Sequence, residues 1–187
     1  MRNIVMRSLL VLSLLTASLV WADEYDDTMK VFSDAGQSAA FFQNCHGYAI
    51  FPTIGKGGIG VGYAHGSGRV YAGGKYVGDT SMNQATIGAQ LGGQAYSQII
   101  FFKDKGAFDD FTSGNFEFGA QATAVAITAG ASASAGSSGT TAGARGTSSA
   151  GTTVGGYYKG MAVFTVAKGG LMYEASIGGQ KFSYKPR

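Results

Sequence analysis

The stretch Gly58–His65 reads GIGVGYAH and alternates strictly between two kinds of side chain. The strand that this alternation predicts carries Ile59, Val61, Tyr63 and His65 on one face and only glycine and alanine on the other. A face without large side chains lets another part of the chain approach the backbone closely. We therefore expect a glycine-rich β-structure in which a second element can approach the Gly/Ala face.

Glycine is abundant along the whole chain. The 187 residues include 31 Gly but only 2 Pro, and 13% of them are charged, with a formal net charge of +3. Collagen is excluded because the glycines follow no strict three-residue period. Disorder throughout is disfavoured because 45% of the residues are hydrophobic and 12% are aromatic. The composition predicts a folded domain whose backbone needs glycine at many positions.

Further secondary-structure signals follow this stretch along the chain. Gly66–Gly68 predicts a turn into Arg69–Ala72, and hence a hairpin. Residues 85–102 alternate over a long strand, with apolar side chains on one face and glutamines on the other. A strand with one buried and one wet face is typical of an antiparallel sheet. A short helix is predicted around Phe108–Phe111, and alternation resumes over residues 115–128.

The N-terminal residues 1–22 have the pattern of a signal peptide. Arg2 and Arg7 form a basic start, residues 8–20 are an uncharged apolar run, and a small-residue cleavage site ends at Ala22. The apolar run is too short to span a bilayer as a helix, which needs about 20 residues. Cleavage removes two of the 14 basic residues and leaves 12 against 11 acidic ones. The mature chain is nearly neutral, which disfavours nucleic-acid binding.

The remaining residues, 23–187, are expected to form a single domain. The predicted fold class is α+β and β-rich, with an N-terminal amphipathic helix or helices packed on a strongly twisted or barrel-like antiparallel sheet. Gly36 marks a position where one helix could divide into two. The domain has a helical start, a β body, and a flexible loop rich in Gly, Ala, Ser and Thr: residues 23–46, residues 47–128 with 157–184, and residues 130–156.

One pattern occurs twice. Gly47–Phe51 is followed by Lys56–Ile59, and Gly160–Phe164 is followed by Lys168–Leu171. Each pair predicts a strand, a Lys-Gly-Gly turn and a second strand. The repeat indicates two related hairpins in one sheet, or chance similarity in a glycine-rich chain.

The sequence contains no strong signal for catalysis. His46 and His65 are the only histidines, no serine lies in a Gly-x-Ser-x-Gly motif, and Cys45 beside His46 lacks metal-ligand spacing. Gly55–Gly60 matches Gly-x-Gly-x-x-Gly, but a strand follows it where a dinucleotide site needs a helix. We predict a protein that is not an enzyme and has no catalytic residue, cofactor or metal site. Cys45 is expected to be a buried small hydrophobe or to form an intermolecular disulfide.

A series of short motifs follows in order along the chain: GYAIFP at Gly47–Pro52, KGGIG at Lys56–Gly60, GAQLGGQ at Gly88–Gln94, IIFF at Ile99–Phe102 and FEFGA at Phe116–Ala120. This series resembles the SYLF domain family and covers roughly Asp23 to Tyr184. The resemblance implies a compact, β-rich α+β domain that binds membrane lipids, including phosphoinositides, and in some eukaryotic members binds actin. It also implies an exported protein, since bacterial relatives are exported, often as lipoproteins.

Two departures from the family bear on the partner. In eukaryotic members lipid binding is credited to an N-terminal amphipathic helix with basic residues, whereas residues 23–46 contain five acids and only Lys30 as a base. Acidic residues are repelled by anionic headgroups. The chain also lacks the lipobox cysteine of lipoprotein relatives, and actin is not expected as a partner of an exported bacterial protein.

The sequence thus predicts a non-enzymatic protein of the periplasm or cell envelope that binds phospholipid or a membrane surface. Two alternatives are a small outer-membrane β-barrel, which shows similar alternation and export, and a self-associating structural envelope protein with exposed strand edges. An oligomer is compatible with these readings. The candidate lipid-binding residues are two aromatics for burial and four bases, near turns, that could meet phosphates or be solvated loop charges: Phe41, Phe42, Lys56, Arg69, Lys75 and Lys168.

Overall fold

The computed structural model describes residues 24–120, 122, 124–127, 157–168 and 177–187, except for the side chains of residues 86–92. The predicted signal peptide, residues 1–22, lies outside the described residues, as does the predicted loop over residues 130–156. Both stay predictions from the sequence.

Two helices open the described part of the chain. Helix α1 covers residues 24–34 and helix α2 covers Gly36–Asn44. They are separated at Ala35, whose backbone is extended, with φ −80° and ψ 116°. The N-terminal helical segment therefore divides at the glycine. The apolar side chains of both helices pack against one face of the sheet: Tyr25, Met29, Phe32, Phe41 and Phe42.

The described strands form one sheet. They are β1 (Gly47–Ala72), β2 (Lys75–Phe102), β3 (Val125–Ile127), β4 (Met161–Lys168) and β5 (Lys181–Pro186). The order is β1-β2-β4-β3, and β5 also pairs with β2. All pairs are antiparallel except β3 with β4, which is parallel. The α+β, β-rich fold class is confirmed, with a mixed sheet in place of a purely antiparallel one.

The first hairpin turns later than the sequence predicts. Strand β1 ends at Ala72, and Gly73 and Gly74 form the turn with φ of 55° and 75°. Positive φ at two successive residues suits a tight hairpin turn and favours glycine. The turn predicted at Gly66–Gly68 is wrong, because these residues lie inside β1 with Ser67 opposite Ser81 of β2.

Strand β1 folds back on itself while it stays paired with β2. Gly58 and Gly60 have φ of 154° and 72°, and the register with β2 shifts close to them. We call residues 47–58 the first arm of β1 and residues 61–72 the second arm. A Cβ added to Gly66 would lie 2.6 Å from Ile54 Cγ1, so the inner faces of the two arms are in close contact. The close approach predicted for the Gly/Ala face is confirmed.

The repeated Lys-Gly-Gly pattern is described only in its first copy. Lys56–Gly58 lies inside β1 opposite Gly92–Gln94 of β2 and leads directly into the fold-back, where the register with β2 shifts. In the second copy β4 ends at Lys168, and the residues that follow lie outside the described part of the chain. The relation between two hairpins stays a prediction.

Two hydrophobic cores flank the sheet. The inner core lies between the arms of β1 and is closed by helix α3 (Lys105–Thr112), where Phe111 is fully buried. Helix α3 begins where the Asp104 side chain accepts a hydrogen bond from the backbone N–H of Ala107 at 3.0 Å, and the short helix predicted here is confirmed. The outer core lies between the sheet and helices α1 and α2. In the described residues of the range 115–128, the alternation corresponds to a bridge at Glu117 and the short strand β3.

Candidate functional site

The most exposed large apolar side chains in the described residues lie beside one another on β1, directly after the fold-back. Ile59 is 82% exposed, Val61 66% and Tyr63 55%. We call these three residues the apolar stripe. Isolated exposed hydrophobic residues are common, but a contiguous group of them marks an interaction surface.

The outward direction of the apolar stripe follows from the packing of the two arms. The inner face of the second arm carries Gly62, Ala64 and Gly66, which are buried. Only side chains this small allow the first arm to approach to the distance observed, so Val61 and Tyr63 must point outward. Ile59 lies in the fold-back itself, where its side chain is exposed. None of the three stripe residues is among the lipid-binding residues predicted from the sequence. The sequence nevertheless contained the signal for this surface. If another element packs on the Gly/Ala face of the strand, that face is the inner one, and the opposite apolar face must be exposed.

Polar groups hold one end of the apolar stripe in place. The Tyr63 hydroxyl donates a hydrogen bond to Asn83 Oδ1, and His65 Nδ1 lies 2.9 Å from the same oxygen. A hydrogen bond between these two atoms requires the Nδ1–H tautomer of His65, because the amide oxygen can only accept. The two rings are nearly parallel, at 5° and 6.5 Å between centroids. The aliphatic residues of the stripe therefore lie close to the fold-back, and its aromatic residue, Tyr63, is held by a hydrogen bond to Asn83.

A basic residue lies next to this polar group. Lys181 of β5 is opposite Asn83, which is opposite His65. Lys181 Nζ lies 3.5 Å from Glu117 Oε2, and both side chains are exposed. An ion pair of this kind contributes little in water, so the lysine charge is available to an anionic surface beside the stripe.

The two predicted aromatic contacts are used inside the protein. Phe41 stacks on Phe101 with 5.5 Å between ring centroids. Phe42 makes edge contacts with Tyr48 at 5.3 Å and with Phe101 at 4.9 Å. Both rings pack α2 on the sheet, and each stays partly exposed. Their predicted contact with lipid stays a prediction.

Arg69 and Lys168 also make contacts within the protein. The Arg69 guanidinium carbon lies 4.1 Å from the centre of the Tyr25 ring and 5.1 Å from that of Tyr76, within the range of cation–π attraction. Lys168 Nζ donates to Thr53 Oγ1 at 2.6 Å and to Glu24 Oε1 at 3.3 Å.

The hydroxyl of Thr53 donates to Glu24 Oε1 at 2.7 Å. This hydrogen bond, with Lys168, holds the pKa of the Glu24 carboxyl below its usual value, although partial burial opposes the shift. The contacts of Lys168 and Arg69 tie α1 to the sheet.

The other two predicted bases lie at different places. Lys75 is exposed beside the hairpin turn, opposite Ala72. Lys56 lies opposite Gln94, three residues before Ile59. Arg69 and Lys168 thus reach neighbouring residues of α1, and of the four predicted bases Lys56 is the nearest in sequence to the apolar stripe.

The described residues were also predicted to lack a metal site, and they include the single cysteine of the chain. No group of three or more His, Cys, Asp or Glu side chains there is placed to hold a metal ion. None of the helices in this part of the chain has the length and apolar character needed to traverse a bilayer. Cys45 is half-buried and has no disulfide partner there, and burial raises the pKa of its thiol.

Comparison with known proteins identifies the family. The family model described as Ysc84, Las17-binding protein actin regulator, matches residues 83–185, more than half of the chain. The chain belongs to the Ysc84, or SYLF, family. The match begins within β2 and ends within β5, so the apolar stripe lies before the matched residues.

A curated relative extends the similarity towards the N-terminus. Beta cell expansion factor A of Aeromonas veronii is 28% identical to this SYLF protein over 156 residues, which are 82% of this chain and 51% of the relative. The chain therefore spans about half the length of the curated relative that it matches.

Proposed function

We propose that this SYLF protein is exported and binds the lipid surface of a cell-envelope membrane without catalysing a reaction. The apolar stripe is the observation that carries the proposal. Ile59 and Val61 project from the fold-back of β1 with most of their surface exposed. A bilayer is the partner that an outward aliphatic pair with a polar, basic border fits best.

The size of the apolar stripe predicts reversible binding. Complete burial of a valine or isoleucine side chain is favourable by about 1.5–3 kcal/mol. Ile59 and Val61 together therefore contribute about 3–6 kcal/mol before the cost of holding the protein at the surface. Tyr63 follows them on the same face, with its ring suited to the headgroup level and its hydroxyl already bonded to Asn83.

Charge makes a smaller contribution to the proposed contact. Lys181 borders the polar end of the stripe and Lys56 precedes it in β1. Each base near an anionic membrane contributes about 1 kcal/mol, and salt screens that contribution. Because the predicted mature chain is nearly neutral, we expect binding to depend more on the apolar stripe than on the charge of the membrane.

The family supports the same class of function. SYLF domains are binding domains, and the resemblance implies lipid or actin as the partner. Export would separate this protein from actin, so lipid is the partner that we propose. The apolar side chains of the N-terminal helices pack on the sheet, which supports a contact at the apolar stripe rather than at these helices.

Vesicle co-sedimentation of the wild-type protein and of a double variant tests the proposal. Replacing Ile59 and Val61 by Thr keeps the β-branched shape and removes apolar surface, so we expect the partition coefficient to fall roughly tenfold or more. Val31→Thr is the matched control, since Val31 is 38% exposed on α1, and it should bind like wild type.

Failure of the wild-type protein to sediment with any phospholipid mixture would refute lipid binding. If the double variant instead changes only concentration-dependent light scattering, the apolar stripe joins copies of the chain. Protein recovered from the exported fraction tests the location: its N-terminus should be Asp23 and it should lack tryptophan emission, since Trp21 is the only Trp. A retained Trp21 would contradict cleavage after Ala22.

A further inference from the structure

The inner core contains a group of uncharged polar side chains. Gln98, Gln180 and Thr165 have no exposed surface, and Gln84 is nearly as deeply buried. The Gln84 side chain donates from Nε2 to the carbonyl oxygen of Gly178 at 2.9 Å. Gln98 lies on the same face of β2 as Tyr96 and Ile100 of the inner core, and Thr165 lies on the same face of β4 as Val163. Buried polar groups normally have hydrogen-bond partners, so each of these four side chains is expected to have one.

The two buried glutamines pair with each other. Gln98 Nε2 donates to Gln180 Oε1 at 2.9 Å, and Gln180 Nε2 donates to Gln98 Oε1 at 3.1 Å. Gln180 Nε2 also lies 3.3 Å from the Tyr96 hydroxyl oxygen. A primary amide has two N–H groups. Both N–H groups of Gln180 are therefore used, whereas the described bonds use one of the two on Gln98.

Thr165 supplies a second donor beside the remaining N–H of Gln98. Its hydroxyl is buried and has no hydrogen-bond partner within the described residues. Thr165 of β4 is directly opposite Gln98 of β2. Directly opposed residues in an antiparallel pair share one face, with Cβ atoms about 4.5–5.5 Å apart. The Thr165 hydroxyl and the Gln98 amide therefore belong to opposed residues on one face of the sheet, and both side chains are closed to solvent.

We propose that Thr165 and Gln98 form an internal binding site for one neutral oxygen atom, supplied by a buried water molecule. A single oxygen with two lone pairs can accept from both donors at once. The oxygen is neutral because none of the buried side chains in the described residues is charged, and an isolated charge there would be strongly unfavourable. The site is separate from the apolar stripe and does not depend on the proposed membrane contact.

A crystal structure of the full mature chain at a resolution that shows ordered water tests the site directly. The expected result is an oxygen within hydrogen-bond distance of both Thr165 Oγ1 and Gln98 Nε2. An isolated peak identifies water and supports the site. Density that continues into a larger molecule, or the absence of any such oxygen, overturns it.

Thermal unfolding of a Thr165→Val variant gives an independent readout. Valine has nearly the same shape but no hydroxyl, so loss of a hydrogen bond to the bound oxygen should lower Tm by roughly 2–4 °C. If the hydroxyl has no partner, the same change removes an unfavourable buried group and Tm stays unchanged or rises, which overturns the proposal. Thr165→Ser keeps the hydroxyl and should still show the oxygen in a crystal, should the valine variant fail to fold.

Discussion

The buried hydroxyl of Tyr157 contributes to the change in folding stability at alkaline pH. It is buried without a hydrogen-bond partner among the described residues, and burial raises the pKa of Tyr157 to about 12. Burial also raises the pKa of Tyr48 to about 12, although its hydroxyl lies 3.3 Å from Met29 Sδ. Because an unfolded tyrosine titrates near pH ~10, the folded state keeps these protons while the unfolded chain loses them. Stability should therefore fall as pH rises from about 10 towards 12, and these groups have no effect well below pH ~10.

The Tyr157→Phe variant separates this contribution from other alkaline effects. It removes a hydroxyl without a described partner, so we expect its Tm at pH 7 to equal or exceed that of the wild type. Between pH 10 and 12 its Tm should fall less steeply, because one group with a raised pKa is gone. Thermal unfolding followed by circular dichroism across this range measures both effects. Tyr158→Phe is the neighbouring control at an exposed position, and equal slopes for the two variants would contradict the assignment.

At the scale of the elements, patterns within one segment predicted helices and strands better than they predicted turns. The three- and four-residue spacing over residues 23–46 identified the helices, because that period is a property of the segment itself. Gly66–Gly68 looked like a turn because glycine serves both tight turns and close packing. The choice between them depends on Ile50 and Ile54, which approach from the other arm of β1 and which no local pattern reveals.

Gly68→Ala tests whether glycine is required there for packing. A Cβ at Gly68 would lie 2.6 Å from the carbonyl oxygen of Ile50 and 2.7 Å from Cδ1 of Phe51. We expect a loss of about 1–3 kcal/mol in the free energy of unfolding, since the arms must move apart. Gly55→Ala is the control in the same strand, because nothing lies within 4 Å of an added Cβ, and it should change stability by less than about 0.5 kcal/mol. Urea titrations of both variants measure these free energies of unfolding. Equal stabilities would argue against close contact between the arms.

At the scale of the whole molecule, the candidate site was only partly accessible to sequence reasoning. An amphipathic pattern predicts that the apolar face of a helix is buried. It does not show whether that face packs against a sheet or against a membrane. Phe41 and Phe42 were assigned to lipid on that basis, and the structure places both on the sheet. Arg69 and Lys168 make their contacts with Tyr25 and Glu24, which are distant in sequence, so their pairing could not be inferred locally.

The two possible membrane contacts place the molecule in different orientations, and site-specific labels distinguish them. A polarity-sensitive fluorophore is attached to Val61→Cys, Val31→Cys or Lys75→Cys in a Cys45→Ser background. If the apolar stripe enters the bilayer, the label at position 61 should shift to shorter wavelength with vesicles. Position 75 should not respond, because about twelve residues of strand, roughly 40 Å, separate it from the fold-back. A shift at position 31 without one at position 61 would instead assign the contact to α1.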